Sequence, residues 1–534
     1  MSKRIQSVAH VSREFGDLIS AGGVKDFTRG LCVAAAEHEI DTHLFLPYPA
    51  DEQRLAALEP LGSPTFFDVR MDYSQKCRRA EHVAIRTFCD PQRPHLRLHL
   101  VDSHRFRFLS DSDGDIPRHG VYTYTSAEAQ MLGRPDLAGN AYDDFFELNV
   151  LLVKSALRAI ELLQIQPDVI HCHDGHVGFL PLIAQCSTEG FAVSLSDIPT
   201  LVTIHTPTNH YRGEVRYDST IPWLCGVPYY IIENCLHNGH FDPMLIGGLF
   251  ATGISTVSEN FARELQTTGM DWRSEWLGHR LAGYGVTISG ITNGIDPRDF
   301  DPSDPERAGL PAGFDPPRDD FVGKRICKRM LLRETGLDRF GDDTPLLTFV
   351  GRFSYNKGYD VLSRAITSLF SEDPDIVLIG NGNGFPPIAA IVRSLHNRFS
   401  DRVFVDYDYN PQLGNRIFAG GDFCLVPSLY ESCGTVDYIA QLFGNVPIVH
   451  AVGGLVKVVD GVNGFAYVGA EEALLAKLKE AIGIYRTDRP RLRRLQRTAV
   501  ETIHERYTWF EVFGRKYLPL YQQLVERSRP KLPD

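Results

Sequence analysis

Gly351-Arg352-Phe353-Ser354-Tyr355-Asn356-Lys357-Gly358 follows one apolar run of strand length, and Pro427-Ser428-Leu429-Tyr430-Glu431-Ser432-Cys433-Gly434 follows another. Each precedes a run with helical spacing. Strand–turn–helix units of this kind build a parallel sheet, whose turns at the carboxyl ends of the strands share one crevice. The first turn carries two cations, Arg352 and Lys357, and the second a carboxylate, Glu431. Arg offers a fork of donors and Lys a mobile point charge, both suited to phosphate oxygens. A carboxylate beside them accepts from hydroxyls. The two turns together predict a site for a phosphate-activated sugar. Plainer readings compete: loop cations are commonly just solvated, Glu431 also fits a first-turn carboxylate on a helix dipole, and Cys433 fits a small buried hydrophobe.

The same alternation runs through the chain. Strands are expected at Leu346–Val350, Ile376–Ile379, Arg402–Val405, Phe423–Val426 and Pro447–Val449. In the first half they are expected at Ser7–Val11, His43–Leu46, Val169–Cys172, Leu201–Ile204 and Gly253–Val257. A helix is expected from about Glu147 to Leu163, stopped by Pro167. Residues 297–317 hold six prolines, which cannot continue a helix or central strand; this segment reads as the region of the inter-domain connection. Near the end, Thr508 and Glu511 have capping-box spacing, and Phe510, Phe513, Tyr517 and Tyr521 form an apolar stripe interrupted by Pro519. Residues 51–140 give no clear pattern.

At 534 residues the chain is too long for one ordinary core, which predicts two domains. The net charge of −12 argues against nucleic acid or an anionic membrane surface as main partner. No apolar run reaches membrane-spanning length. Met1-Ser2-Lys3-Arg4 leads into a short strand-like run with no signal-peptide core. Ten scattered cysteines, some inside apolar runs, fit reduced thiols and a cytoplasmic protein.

Other motifs are weaker alone. Gly380-Asn381-Gly382-Asn383-Gly384 lacks the third glycine of a dinucleotide fingerprint, since position 385 is Phe; it reads as a tight turn near a ligand, not an NAD site. Gly453-Gly454 and Gly22-Gly23 follow strands and could bring bare backbone amides to a phosphate. His171-Cys172-His173-Asp174-Gly175-His176 ends a strand, with His171 and His173 on one face. A zinc site built from His171, His173 and His176 is one reading. Contact of a His with substrate at the strand end is the favoured one, because successive residues on a strand rarely converge on a tetrahedral ion.

In this order the pieces resemble the bacterial glycogen and starch synthases, which are retaining glycosyltransferases of the GT-B fold. The strongest match runs from Leu425-Val426-Pro427-Ser428 through Glu431-Ser432-Cys433-Gly434 to Gly444-Asn445-Val446-Pro447-Ile448-Val449 and Gly453-Gly454-Leu455. Asp168–Asp174, Thr203-Ile204-His205, Asn293-Gly294-Ile295-Asp296 and Arg352 with Lys357-Gly358 also match. The resemblance implies an α/β architecture of two Rossmann-like domains, residues 1–292 and 293–505, facing a cleft. Residues 506–534 would form a C-terminal helix that crosses back to the first domain. It implies that Arg352 and Lys357 bind the donor diphosphate and stabilise it on departure. Glu431 and Cys433 would contact sugar hydroxyls, and Gly453 and Gly454 would approach the phosphates. His173 would hold a hydroxyl of the transferred sugar, with Asp144 near that sugar and Tyr407 stacked on the nucleotide base. Gly22, Gly23 and Asp26 match the first-strand glycine loop; Asn293, Ser428 and Gly434 belong to the same donor motifs.

The implied partners are a nucleotide-sugar donor, ADP-glucose or UDP-glucose, and an α-glucan or oligosaccharide acceptor. No metal or other cofactor is expected. The chain also departs from the family. Ser20 stands where the first loop has Lys, with Lys25 a substitute candidate. His205-Thr206 replaces His-Asn, Asp174-Gly175 replaces Asp-Trp, and Val452 replaces Thr. Ile439 stands where related enzymes carry a second Glu. A different acceptor, or a glycan-binding protein of reduced activity, are the alternatives these departures raise.

Overall fold

Short apolar runs alternating with amphipathic ones produce two parallel sheets, one in each of two units of the computed structural model, which describes residues 4–527 except 50, 112–113, 192, 209–210, 320 and 409. The readings made on Met1–Lys3 and on residues 528–534 lie outside the described residues. The first unit comprises Met1–Gly294 with Val512–Asp534, and the second Ile295–Glu511.

In the first unit the parallel strands lie in the order Ile288–Gly290, Gly253–Thr256, Thr200–Ile204, Val169–His173, Ser7–Val11, Asp41–Pro47 and Arg93–Asp102. The strand order reverses beside Ser7–Val11, which pairs with Asp41–Pro47 on one side and Val169–His173 on the other. A ligand crevice forms at such a switch point. Val169–His173 and Thr200–Ile204 are buried throughout, as strands covered by helices on both faces must be.

Residues 51–140, unread in the sequence, extend this sheet antiparallel through Ala80–Asp90, which carries Thr65–Arg70 and Glu59–Pro60. Ala80–Asp90 is only half buried, which blurs its pattern. In Arg93–Asp102 the residue types alternate, with Leu96, Leu98 and Leu100 buried on either side of Arg97 and His99, but His99 and Val101 are buried as well.

In the second unit the parallel strands lie in the order Val403–Asp406, Val377–Asn381, Leu346–Val350, Phe423–Val426, Val446–His450 and Phe465–Tyr467. Here the order reverses between Leu346–Val350 and Phe423–Val426. The turns after these two strands are the two segments that opened the sequence analysis.

Two expectations change. The proline-rich residues 297–317 are not the connection. The units divide at Gly294 and Ile295, and the prolines instead start short helices at Pro297–Asp299 and Pro305–Ala308 inside the second unit. Proline is tolerated there because the first helical N–H has no intrahelical partner. The tail divides at Val512 rather than at 506. Residues before it stay with the second unit, because Ile295 N–H donates to Tyr507 O at 2.8 Å and Trp509 N–H to Ile295 O at 3.2 Å. Glu511 N–H donates to Thr508 Oγ1 at 3.2 Å, one half of the expected capping box.

From Val512 onward the chain packs into the first unit. Phe513, Tyr517 and Tyr521 are fully buried, whereas Phe510 of the expected stripe is exposed. Pro519 sits in the first turn of the helix Leu518–Arg527 and does not interrupt it. Tyr521 OH bonds His171 Nδ1 at 2.8 Å. Replacing Tyr521 by Phe keeps the shape and strands one buried imidazole nitrogen, at a cost of about 1–3 kcal/mol. The urea midpoint of the first unit should fall accordingly in Tyr521→Phe; an unmoved midpoint would show that the bond contributes nothing net.

Candidate active site

Three turns of the second unit interlock through glycine. Gly358 has φ +67°, and a Cβ there would lie 2.1 Å from Pro427 O. A Cβ on Gly453 (φ +48°) would lie 1.6 Å from Glu431 O, and one on Gly454 2.3 Å from Cys433 O. Only bare backbone fits at these contacts. Hydrogen bonds complete them: Leu429 N–H donates to Asn356 O at 2.7 Å, and Gly454 N–H to Glu431 O at 3.1 Å. The Gly454 amide is thus committed within the protein, and its contribution is closeness of approach.

At this junction Lys357 Nζ lies 2.6 Å from Glu431 Oε2, and Ser428 Oγ donates to the same oxygen at 3.1 Å. Residues seventy-four apart in sequence meet because their strands are neighbours in the sheet. Arg352, on the same turn as Lys357, is exposed and pairs with no described carboxylate. Cys433 is buried, and its carbonyl and that of Gly434 accept from Lys457 Nζ at 2.6 and 2.9 Å. Lys457 also pairs with buried Asp437 at 3.1 Å; burial lifts that carboxyl to about 6 against the pull of the ammonium. Sequence reading missed Lys457, although a lone cation inside Leu455–Val459 was its signal.

Tyr407 lies beside Phe353, ring centroids 6.0 Å apart, with the Arg393 guanidinium 4.1 Å from its ring centre. The Gly380–Gly384 run is a close backbone approach. The Val377–Asn381 strand continues into it, and a Cβ on Gly382 would lie 2.2 Å from Gly351 O.

In the first unit the carboxyl ends of Ser7–Val11 and Val169–His173 gather imidazoles. His10 Nδ1 and His173 Nε2 share a hydrogen bond of 3.2 Å, with their rings stacked. His171 Nε2 bonds Thr203 Oγ1 at 2.6 Å. One nitrogen from each of His10, His171 and His173 lies within 4.8 Å of the others. This group differs from the His171, His173 and His176 set of the less favoured zinc reading: His176 instead stacks on Tyr122, centroids 4.2 Å apart. Both nitrogens of His171 are engaged by hydroxyls, whereas His10 Nε2 and His173 Nδ1 are buried without a hydrogen-bond partner.

Asp174 has φ +60°, a conformation that costs a non-glycine residue strain. Its carboxylate accepts from His205 N–H at 2.7 Å, and burial holds its pKa well above the usual range. The departure at Gly175 has a cause: a Cβ there would lie 1.8 Å from Arg212 O.

The glycine loop after the first strand is organised by Glu14, which sequence reading also missed. Its carboxylate accepts from Gly22 N–H at 2.6 Å, Ala21 N–H at 2.9 Å and Tyr122 OH at 2.7 Å. A Cβ on Gly22 would meet the Tyr211 hydroxyl at 1.8 Å, so a side chain there must displace that ring, whereas Gly23 faces open space. Ser20 and Asp26 are exposed. Lys25 pairs with Asp17 at 3.4 Å and Asp26 at 3.7 Å. Asp144 is held by Arg118 through both carboxylate oxygens, at 3.1 and 3.0 Å. Asn293 is half-buried beyond the Ile288–Gly290 strand.

Two α/β units whose switch points carry these turns define a GT-B glycosyltransferase, and the comparisons agree. A family model described as starch synthase catalytic domain matches residues 7–277, and one described as glycosyl transferases group 1 matches residues 344–483. The chain belongs to the starch synthase catalytic domain family. It is 29% identical to a glycogen synthase of Myxococcus xanthus, over 97% of this chain and 99% of that one. It is 30% identical to glycogen synthase 1 of Geobacter metallireducens, over 78% of this chain and 82% of that one. The catalytic domain of starch synthase IV from Arabidopsis thaliana, bound to ADP and acarbose, shares the fold with a TM-score of 0.76 at 20% identity, over 98% of this chain and 99% of that one. No helix among the described residues is long and apolar enough to cross a membrane.

Two outcomes follow from this geometry. Removing either Arg352 or Lys357 should cost about 2–4 kcal/mol of transition-state stabilisation, the scale of one preorganised charged donor. Steady-state kcat/KM of Arg352→Ala and Lys357→Ala measures it, and wild-type turnover in both would move the site elsewhere.

The second outcome concerns pH. Burial lowers His10 and His205 to about 3 and holds His171 and His173 well below 6.5. The unfolded chain therefore takes up protons first, and stability falls as pH drops below about 6.5, by up to about 1.4 kcal/mol per pH unit for each imidazole. His43 and His99, also lowered by burial, act in the same direction, and Asp174, Glu147, Glu189 and Glu214, whose folded pKa values burial raises, oppose it. Urea midpoints at pH 7.5 and 5.5 test the sign; equal midpoints for the first unit would refute it.

Proposed function

We propose that this glycosyltransferase moves a glucosyl unit from ADP-glucose or UDP-glucose, with retention, to the non-reducing end of an α-1,4-glucan. The observation that carries the reading is the Lys357–Glu431 contact beside exposed Arg352 at the switch point of the second sheet. A diphosphate leaving group gathers negative charge as its bond to the sugar breaks. Fixed cations at that point lower the barrier more than they stabilise the ground state. In this reading Arg352 and Lys357 take the diphosphate. Glu431 holds Lys357 in place and accepts from sugar hydroxyls. Gly453 and Gly454 let the phosphates come close, and Tyr407 offers its ring to the base.

His173, neutral because it is buried, holds a sugar hydroxyl without adding charge, and Asp144 stands near the same sugar. Glycogen synthases among the relatives, and a related starch synthase bound to ADP and acarbose, support both the donor and the acceptor class.

The two cations do the work a divalent ion would otherwise do, so transfer is proposed to be metal-independent and to survive EDTA followed by dialysis. Activity lost to EDTA and restored by zinc or magnesium would overturn this. The His10, His171 and His173 trio is where such an ion would be sought.

The decisive assay follows labelled glucose from each donor into glycogen and into short malto-oligosaccharides. Incorporation from neither donor would reject the reading. Ser20 adds a second outcome. Lys25 pairs with Asp17 and Asp26, so Ser20→Lys adds a charge to the loop and should raise kcat/KM about tenfold, equivalent to about 1.4 kcal/mol. An unchanged or lower value would mean the loop already has its full complement of charge.

A further inference from the structure

Lys457 ends the short helical turn Gly453–Lys457, whose first two residues are the glycines packed against Glu431 and Cys433. Its side chain is 3% exposed. An ammonium has three N–H donors, and three oxygens surround this one: Cys433 O at 2.6 Å, Gly434 O at 2.9 Å and the Asp437 carboxylate at 3.1 Å. The Tyr438 ring centre lies 4.4 Å from the same nitrogen. No donor is left over for a substrate, so Lys457 acts on one only through what it holds.

What it holds is the turn that presents Glu431. Two successive carbonyls drawn to one ammonium fix two successive peptide planes. Gly434, at φ +78°, lies between Lys457 and Glu431. A Cβ there would meet Leu455 Cδ2 at 2.9 Å, Asp437 Oδ1 at 3.2 Å and Glu431 Cγ at 3.3 Å. The stem of Glu431 therefore rests on the backbone that Lys457 grips. At its far end the Glu431 carboxylate is engaged by Lys357 and Ser428, both on Oε2.

Stability alone does not require this arrangement. A buried ion pair is often no more stabilising than apolar side chains of the same volume. What apolar side chains cannot do is draw two carbonyls and a carboxylate to one point. Without the ammonium those oxygens repel one another across a poorly solvated space, and the turn that carries Glu431 loses its anchor.

We propose that Lys457, braced by Asp437, is a positioning residue for the transferred sugar: it fixes the turn from Glu431 to Gly434 so that the Glu431 carboxylate stands ready for a sugar hydroxyl. The proposal rests on the sugar-binding role of Glu431 given above. A misplacement of about 1 Å near the reacting group costs about a hundredfold in rate, so a residue that touches no substrate still shapes turnover. The diphosphate is served by Arg352 and Lys357 from another turn, which makes its binding separable.

The test uses the full chain and Lys457→Met, which keeps the length of the side chain and removes its charge. Steady-state kcat/KM for transfer of glucose from ADP-glucose and UDP-glucose to glycogen should fall about tenfold or more, while the dissociation constants of ADP and UDP, from calorimetry, stay within about twofold of wild type. General damage to the site would weaken both. Asp437→Asn, similar in shape and uncharged, carries the same test should Lys457→Met unfold. Wild-type kcat/KM in the folded variant, or equal losses in turnover and in diphosphate binding, would overturn the role. A wild type that transfers glucose to no glucan would overturn the acceptor reading by itself, and the comparison then rests on binding. The variant should bind ADP-glucose and UDP-glucose more weakly than wild type with ADP and UDP unchanged, and unchanged affinity for the nucleotide-sugars would overturn the role of Lys457.

Discussion

Backbone-to-backbone contact at Gly358, Gly453 and Gly454 is the constraint on which the candidate donor site depends. Carbonyls of Pro427, Glu431 and Cys433 fill the space where side chains would begin. With no Cβ in the way, the turns after three neighbouring parallel strands close on one another. Their few functional side chains are then fixed relative to each other without long loops. Hydrogen bonds from Leu429 and Gly454 hold the arrangement. A catalytic constellation built this way is stiff, which electrostatic stabilisation requires, since charges that must reorganise during reaction lose much of their advantage.

The charge pattern follows from that geometry. Lys357 is held by Glu431, Lys457 by Asp437 and by the carbonyls of Cys433 and Gly434, and Arg352 faces solvent. A cation already paired with a carboxylate costs less to desolvate than a bare one, and it keeps its place while the site is empty. In the proposed reading an arriving diphosphate would find one exposed guanidinium and one pre-positioned ammonium. Glu431 has two partners of its own, Lys357 and Ser428, on one oxygen.

The first unit solves a different problem. Its clustered imidazoles are buried, and desolvation keeps them neutral. The chain of hydroxyls from Tyr521 through His171 and Thr203 to Ser255 satisfies both nitrogens of His171, while His10 Nε2, His173 Nδ1 and His205 Nε2 stay buried without a hydrogen-bond partner. Tyr521 comes from the last helix, so the end of the chain helps to complete the environment of residues 350 positions earlier. The loop after the first strand, by contrast, is held by the buried carboxylate of Glu14, and its exposed Ser20 brings no charge.

Strand positions in both units were legible because buried parallel strands read as short apolar runs between glycine-rich turns. Ser7–Val11, Leu346–Val350 and Phe423–Val426 fall where the sequence put them, and Phe145–Leu162 lies within two residues of its expected start. Arg352, Lys357 and Glu431 were legible for the same reason: they sit just past such runs. The antiparallel strands between residues 59 and 90 were not, since half-exposed strands carry little apolar contrast. The proline-rich residues 297–317 looked like a linker but lie inside the second unit, where Pro297 and Pro305 start short helices. The sequence alone therefore determined the alternation of strands and helices and which turns carry charge, because burial and turn chemistry are local. Only the tertiary structure decided that Lys357 meets Glu431, that His10 rather than His176 joins His171 and His173, that Lys25 is already paired, and that Glu14 holds the glycine loop. Those contacts depend on which strands become neighbours, and strand order is not written in any local stretch of chain.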